Sequence, residues 1–223
     1  MLSIGTSAAR ARVLLSIGFW LVAIGYSVLF TLDNLWFNAA FKAFPALLLF
    51  AWLAAYSRHR LDISAIVFLV CAVGDVLLAM PFEYSFIAGL STFLFAHLLL
   101  VYRLAPYRKN TPKRLIAIGV ITLLATISGV IILRNSGSLF WPVLLYIAII
   151  TSMALFAILA AHRSLLLAFG AVTFLVSDLL IGINRFVLAF PFEHQLIMLT
   201  YYTGIYLLAL GLVNGGFLPS RTT

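Results

Sequence analysis

Two aspartates interrupt long apolar stretches of the chain and have similar neighbours. Asp75 lies in the run VGDVLL, and Asp178 lies in the run VSDLL. A carboxyl group at membrane depth costs roughly 2.5–3.5 kcal/mol on insertion scales, so it indicates a functional site. Paired buried carboxyl groups can serve as general acid and base or as a proton relay. The chain has only six acidic residues, and the placement of two in this context is the main indication of its function.

The predicted helices bring further polar side chains to the depth of the two aspartates. At a rise of about 1.5 Å per residue, Asp75 lies about 8 Å and Asp178 about 9 Å below one membrane boundary. Lys42 lies about 10 Å below the same boundary, and Tyr201 and Tyr202 lie about 12 Å below it. Four helices therefore direct ionisable or hydroxyl groups into one layer.

Three other polar residues are placed relative to this layer. His97 lies deeper, roughly 20 Å from the same boundary. Asn38 precedes Lys42 by four residues and shares its helix face. Arg185 follows Asp178 by seven residues, which is two helical turns along one face. These residues are candidates to support the carboxyl groups.

The composition identifies the elements that position these residues. The chain is 65% hydrophobic and 9% charged, which places it among membrane proteins. Its apolar stretches predict an all-α integral membrane protein, a single bundle of eight transmembrane helices that forms one domain over residues 1–223. The predicted spans are roughly 13–31, 35–56, 62–80, 84–104, 114–133, 139–161, 164–184 and 193–217. The first is interpreted as a retained helix, because it is too long for the core of a signal peptide.

The charge distribution predicts the orientation of the bundle. With eight helices, most of the net charge of +8 falls on one side. That side carries Arg10, Arg12, Arg58, Arg60, Arg103, Arg108, Lys109, Lys113, Arg114, Arg163 and Arg221, and the opposite side carries Asp33, Glu83, Arg134, Arg185 and Glu193. This positive-inside pattern predicts that the N and C termini lie in the cytoplasm. The protein is expected in the bacterial plasma (inner) membrane. The basic cluster is expected to contact anionic headgroups, and no nucleic acid is expected as a partner.

The same tripeptide, PFE, occurs after each of the two aspartate segments. The copy after Asp75 ends at Glu83, and the copy after Asp178 ends at Glu193. Helices 3 and 4 would then correspond to helices 7 and 8. This indicates a weak parallel internal repeat, and sites in repeated membrane folds lie between the repeats.

The same residues also have structural interpretations. Lys42 or Arg185 could neutralise the aspartates and fix helix packing, and His97 could hydrogen bond between helices. Together with His97, the two aspartates make an incomplete set of metal ligands, and the sequence contains no metal-binding motif. We therefore expect neither a metal nor a cofactor.

Several motifs resemble, in order and spacing, the YhhN family of lysoplasmalogenases, which are eight-helix membrane proteins. The matching stretches are Phe41-Lys42, Gly74-Asp75-Val76-Leu77-Leu78, Phe86 to Tyr102 with His97, Gly170 to Asp178, Asn184-Arg185-Phe186, and Tyr201-Tyr202. Two positions depart from the family pattern, and these departures would affect substrate preference and activity. The family often has Pro directly after the helix-2 Lys, whereas Pro45 comes three residues later, and it often has Gln at the position of Ile205.

The resemblance implies hydrolysis of the vinyl ether bond of a lysoplasmalogen, with the lysophospholipid and the bilayer as partners. The products would be a fatty aldehyde and glycerophosphoethanolamine or glycerophosphocholine. Vinyl ethers hydrolyse by slow protonation at carbon, which needs a positioned general acid. A carboxyl group shielded from water can hold a proton at neutral pH, and a second, ionised one can stabilise the cation. Asp178 is favoured as the acid, because Lys42 lies at the depth of Asp75 and would keep Asp75 ionised.

The other polar residues of these segments would bind or support the substrate. They are Lys42, Asn38, His97, Asn184, Arg185, Tyr201 and Tyr202, with Lys42 or Arg185 as candidates to hold the lipid phosphate. A small proton-coupled transporter or a non-catalytic lipid-binding protein would use similar residues. Transporters show paired helix interruptions in their repeats, whereas Pro45 and Pro142 do not occupy matching positions. This difference favours the enzyme.

Overall fold

Eight α-helices account for most of the described chain. The computed structural model describes residues 2–28, 35–59 and 61–219. The helices are α1 (Leu2–Val28), α2 (Leu35–Tyr56), α3 (Ile63–Ala79), α4 (Ser85–Leu104), α5 (Pro112–Asn135), α6 (Phe140–Ala160), α7 (Leu165–Phe186) and α8 (Glu193–Asn214). Short 3-10 turns at Ala105–Tyr107 and Gly137–Leu139 lead into α5 and α6. The predicted all-α fold with eight helical segments is confirmed.

The helix lengths suit a bilayer. Among the described residues, α2, α4, α5, α6, α7 and α8 are long and apolar enough to cross a membrane. The apolar part of α1 covers Arg12–Val28, and α3 covers the 17 residues of Ile63–Ala79, which is near the lower limit for a spanning helix. The helix of α1 starts well before the predicted boundary at residue 13, because the alanine-rich segment before the apolar stretch favours helix. The chain is an integral membrane protein.

Seven helices surround the centre of the bundle. Helices α1 to α4 pack in sequence, α4 contacts α6, α6 packs on α7, and α7 packs on α8, which closes against α1 and α2. Helix α5 lies outside this ring against α6 and α7, and its buried residues are Ala125, Gly129 and Ile132. The candidate polar residues all lie on helices of the ring.

Glycines allow α7 and α8 to approach each other closely. A Cβ atom at Gly170 would lie 2.6 Å from the backbone nitrogen of Leu208. One at Gly204 would lie 2.9 Å from the backbone nitrogen of Phe174. No side chain fits at such distances, so these small residues set the spacing of the two helices.

The connections at one end of the bundle are joined to the segment after α8. We call the end of the bundle where α1 begins and α8 ends the near end. The opposite end, where α3 and α7 end, is called the far end. Arg163 donates to the carbonyl of Gly215 at 2.8 Å and lies over the Tyr107 ring, 4.6 Å from its centroid. The N–H of Arg58 donates to the carbonyl of Pro219 at 2.8 Å. These contacts fix the near end of several helices to one another.

The two ends differ in charge along the axis of the bundle. The basic side chains of the near-end connections and neighbouring turns are Arg58, Arg103, Arg108, Lys109, Lys113, Arg114 and Arg163. The far end carries Glu83, Arg134, Arg185 and Glu193. Asp33, Arg60 and Arg221, which belong to the predicted charge pattern, lie outside the described residues.

Candidate functional site

Asp75 lies in a closed, hydrogen-bonded environment at the centre of the bundle. Only 1% of the residue is exposed. The hydroxyl of Tyr201 on α8 donates to Asp75 Oδ2 at 2.7 Å. The preceding Gly74 lies so close to Phe93 that a Cβ atom there would come within 2.7 Å of the ring. A polar contact therefore joins α3 to α8 inside the bundle.

Asp178 has a different set of partners. Tyr146 on α6 donates a hydrogen bond to Asp178 Oδ2. On α4, His97 Nε2 lies 3.4 Å from the same oxygen and 3.2 Å from the Tyr146 hydroxyl oxygen. The side chain of His97 is fully buried and that of Asp178 is 7% exposed. Three helices therefore meet at one carboxylate oxygen.

Asp178 and Tyr146 form part of the wall of a cavity between α3, α4, α5, α6 and α7. The space between the lining side chains, including its mouth, amounts to about 540 Å³, and about 40 Å³ of it is open to the centre of a water molecule. The rest of the wall is apolar and includes Leu78, Leu90, Ile132, Ile147, Ile150 and Leu179. A lining that is apolar apart from one reactive polar group suits the hydrocarbon part of a lipid.

Two phenylalanine rings pack against the hydrogen-bond partners of the two carboxyl groups. Phe93 lines the cavity and packs edge-on against Tyr201, with ring centroids 5.8 Å apart. Phe174 contacts Tyr201 at 5.4 Å and His97 at 4.9 Å, again between ring centroids. Asp178 therefore lines the cavity and Asp75 does not. We call Phe93 and Phe174, which pack against the Asp75 partner Tyr201, the aromatic wall.

The aspartate of each helix hairpin, α3–α4 and α7–α8, contacts a residue of the other hairpin. Asp75 on α3 accepts from Tyr201 on α8. Asp178 on α7 lies beside His97 on α4. Each aspartate thus contacts the second helix of the other hairpin, as two repeats related by symmetry would do. The internal repeat itself stays a prediction.

Lys42 lies on the Asp75 side of the aromatic wall. No ion pair within 4.0 Å joins Lys42 to Asp75 in the described part of the chain. The Tyr202 hydroxyl donates to the backbone carbonyl of Lys42 at 3.0 Å. Asn38, one turn earlier on α2, is half-buried. Of the residues predicted for one layer, Asp75, Lys42, Tyr201 and Tyr202 therefore lie where α2, α3 and α8 meet, whereas Asp178 lies on the cavity.

Arg185 does not contact Asp178. Its guanidinium lies 3.9 Å from the centroid of Phe86 and 5.9 Å from that of Phe186, and both rings line the cavity. The interpretation in which Arg185 neutralises Asp178 is therefore wrong. Two helical turns separate the residues by about 10 Å along the axis, and the aromatic faces attract the guanidinium. Asn184 is partly buried, and its Oδ1 has no hydrogen-bond partner among the described residues.

The structure does not bring the three candidate metal ligands together. Within the described ranges, no group of three or more His, Cys, Asp or Glu side chains could hold a metal ion. His97 adjoins Asp178, whereas Asp75 is hydrogen bonded by Tyr201. The arrangement suits proton chemistry at separate carboxyl groups.

The sequence does not single out Tyr146, although the structure places it at the centre of the site. Tyr146 follows the first residue of α6 by six positions, about 9 Å along the axis. This is the predicted depth of Asp178, so the same depth count applied to helix 6 identifies the residue. Its surroundings in α6 are strongly apolar, and a tyrosine in such a segment equally suits packing.

The fold and the buried polar groups define an integral membrane protein with one carboxyl group on an apolar cavity inside a helix bundle. The family model of YhhN matches residues 37–212, which include every residue described in the site. The chain belongs to the YhhN family. The predicted resemblance is confirmed.

Several similar proteins are named as lysoplasmalogenases. A protein of Mycobacterium bovis named lysoplasmalogenase is 35% identical over 158 residues, which cover 67% of this chain and 60% of the relative. A protein of Mycobacterium tuberculosis with that name matches equally well. Lysoplasmalogenase TMEM86A of Bos taurus is 29% identical over 197 residues, which cover 80% of this chain and 79% of the relative. The match thus spans only 60% of the length of the mycobacterial relatives. No solved structure matches the chain significantly.

Proposed function

We propose that the chain is a membrane-embedded lysoplasmalogenase, which hydrolyses the vinyl ether bond of a lysophospholipid. The observation that carries this proposal is the position of Asp178, whose carboxyl group lies on an apolar cavity. Membership of the YhhN family and the names of the relatives support the same reaction. The cavity would hold the alkenyl chain and present the bond at its polar end to the carboxyl group.

The reaction begins with proton transfer to carbon. The carboxylic acid of Asp178 gives its proton to the β-carbon of the vinyl ether, and the electron pair of the C=C bond forms the new C–H bond. The ether oxygen stabilises the resulting oxocarbenium ion. Water adds to the α-carbon and returns a proton to the carboxylate. The C–O bond of the hemiacetal then breaks, and its hydroxyl proton passes to the glycerol oxygen, which leaves a fatty aldehyde and a free glycerol hydroxyl.

Asp75 supports the cation from behind the aromatic wall. Its carboxyl group is buried and hydrogen bonded by Tyr201. In a region of low dielectric constant, a fixed charge acts more strongly than it does in water. We therefore assign Asp75 to electrostatic stabilisation of the oxocarbenium ion without contact with the substrate.

We further propose that Arg185 binds the lipid phosphate. Its side chain is exposed at the far end and rests on Phe86. It lies about 10 Å along the axis from Asp178, which leaves room for the glycerol between the vinyl ether and the phosphate. A guanidinium binds phosphate through two parallel hydrogen bonds. Lys42 is the less suitable candidate, because it lies on the other side of the aromatic wall.

The orientation of the bundle is part of the proposal. The near end would face the cytoplasm of a bacterium, because its connections carry basic residues such as Arg108, Lys109 and Arg163. The far end carries Glu83 and Glu193. Reporter fusions at both ends of the chain should agree on the cytoplasm, and an external signal at either end would contradict this orientation.

The reaction is tested with purified protein in detergent. It should release free aldehyde from a vinyl-ether lysophospholipid and none from the saturated alkyl-ether analogue, because the analogue has no double bond to protonate. Equal cleavage of both lipids, or no release by folded protein, would refute the proposal. Movement of protons or lipid across vesicles without aldehyde release would identify a transporter instead.

A further inference from the structure

Both hydrogen-bonding contacts of the Asp178 carboxyl group go to Oδ2. Tyr146 donates to this oxygen, and His97 Nε2 lies 3.4 Å from it. No described residue hydrogen bonds to Oδ1. A carboxylic acid carries its proton on one oxygen and accepts hydrogen bonds at the other. The oxygen that faces the two donors is the acceptor, so the acid proton belongs on Oδ1.

The contacts of His97 also converge on this oxygen. The single hydroxyl proton of Tyr146 goes to Asp178, so the Tyr146 oxygen can only accept from His97 Nε2, which lies 3.2 Å away. This assigns the imidazole proton to Nε2. His97 Nδ1 has no hydrogen-bond partner in the described part of the chain, and the ring packs against Phe174. The hydrogen bonding of His97 is therefore directed entirely at Tyr146 and Asp178.

We propose that Tyr146 and His97 are positioning residues, which hold Asp178 with Oδ1 towards the cavity for proton delivery to the vinyl ether. This inference rests on the proposed function. The terminal torsion of an aspartate is broad, so without these contacts the acid proton could turn away from the substrate. A misplacement of about 1 Å can slow a reaction by about 100-fold. The ring of Tyr146 lines the cavity, while its hydroxyl holds the carboxyl group.

Removal of the Tyr146 hydroxyl tests the proposal. In Tyr146→Phe we expect kcat to fall by up to about 100-fold. KM and the affinity for the saturated alkyl-ether analogue should stay the same, because the ring that contacts the chain remains. Tyr206→Phe is the matched control, since it removes a hydroxyl that donates to Ser16 Oγ at 2.7 Å between α8 and α1. It should leave kcat unchanged.

A second pair of variants tests His97 independently. His97→Gln can keep an N–H donor near the Nε2 position, whereas His97→Leu cannot, so the glutamine variant should have the higher kcat. Equal kcat values for His97→Gln and His97→Leu would overturn the positioning role. This comparison remains decisive if the Tyr146→Phe protein does not fold. A Tyr146→Phe protein with the kcat of Tyr206→Phe, or with a change in KM alone, would overturn it too. A wild-type protein that releases no aldehyde would instead refute the proposed function, so the two failures are distinguishable.

Discussion

Replacement of Asp178 by asparagine should stop proton delivery and preserve the fold. The amide has the shape of the carboxyl group, and its oxygen can still accept the hydrogen bond from Tyr146. It cannot protonate carbon. General acid catalysis contributes about 10²–10⁴-fold, so kcat should fall by that factor. The corresponding rise in the activation free energy is about 2.7–5.4 kcal/mol.

The control for this variant is the same substitution at Asp62. Asp62 caps the start of α3 at the near end, where its side chain accepts from the Ser64 N–H at 2.8 Å. Asparagine caps a helix about as well as aspartate, so Asp62→Asn should keep wild-type activity and stability. Aldehyde release from a saturating vinyl-ether lysophospholipid measures kcat, and thermal unfolding in the same detergent measures the folded fraction.

Two results would refute this reasoning. A folded Asp178→Asn protein with the turnover of Asp62→Asn would show that the carboxyl group on the cavity is structural. An equal loss of activity in both variants would show that the chain responds to the removal of any acidic charge, and proton delivery would not be the cause.

Other substitutions separate packing from substrate binding. Tyr201→Phe removes the donor 2.7 Å from the buried Asp75 carboxylate, so the free energy of unfolding should fall by about 1–3 kcal/mol. An unchanged thermal midpoint would contradict this. Gly204→Val places a Cβ atom 2.9 Å from an α7 backbone nitrogen and should destabilise the bundle by about 1–3 kcal/mol. Gly119→Val, where a Cβ atom meets nothing within 4 Å, should show no such loss in the same melt. Arg185→Gln should raise KM by about tenfold with little change in kcat, and a fall in kcat alone would argue against phosphate binding.

The cluster at Asp75 could be predicted from helix spacing. A fixed rise per residue places Asp75, Lys42 and Tyr201 at similar depth, and the structure brings them together. Depth alone does not give the direction of a side chain around the helix axis. This is why Tyr202 binds a backbone carbonyl, and why Arg185 stacks on a ring instead of pairing with a carboxylate.

The sequence by itself determined the number of helices, the membrane environment, the two buried carboxyl groups and the family. These follow from apolar segment length and from the order of short motifs, which are properties of the chain alone. Only the tertiary structure decided that Asp178 faces the cavity and meets His97 and Tyr146, which lie 81 and 32 residues away in the sequence. The rotation of a membrane helix about its axis is set by packing against its neighbours, and in α7 that packing depends on the close approach to α8 at Gly170 and Gly204.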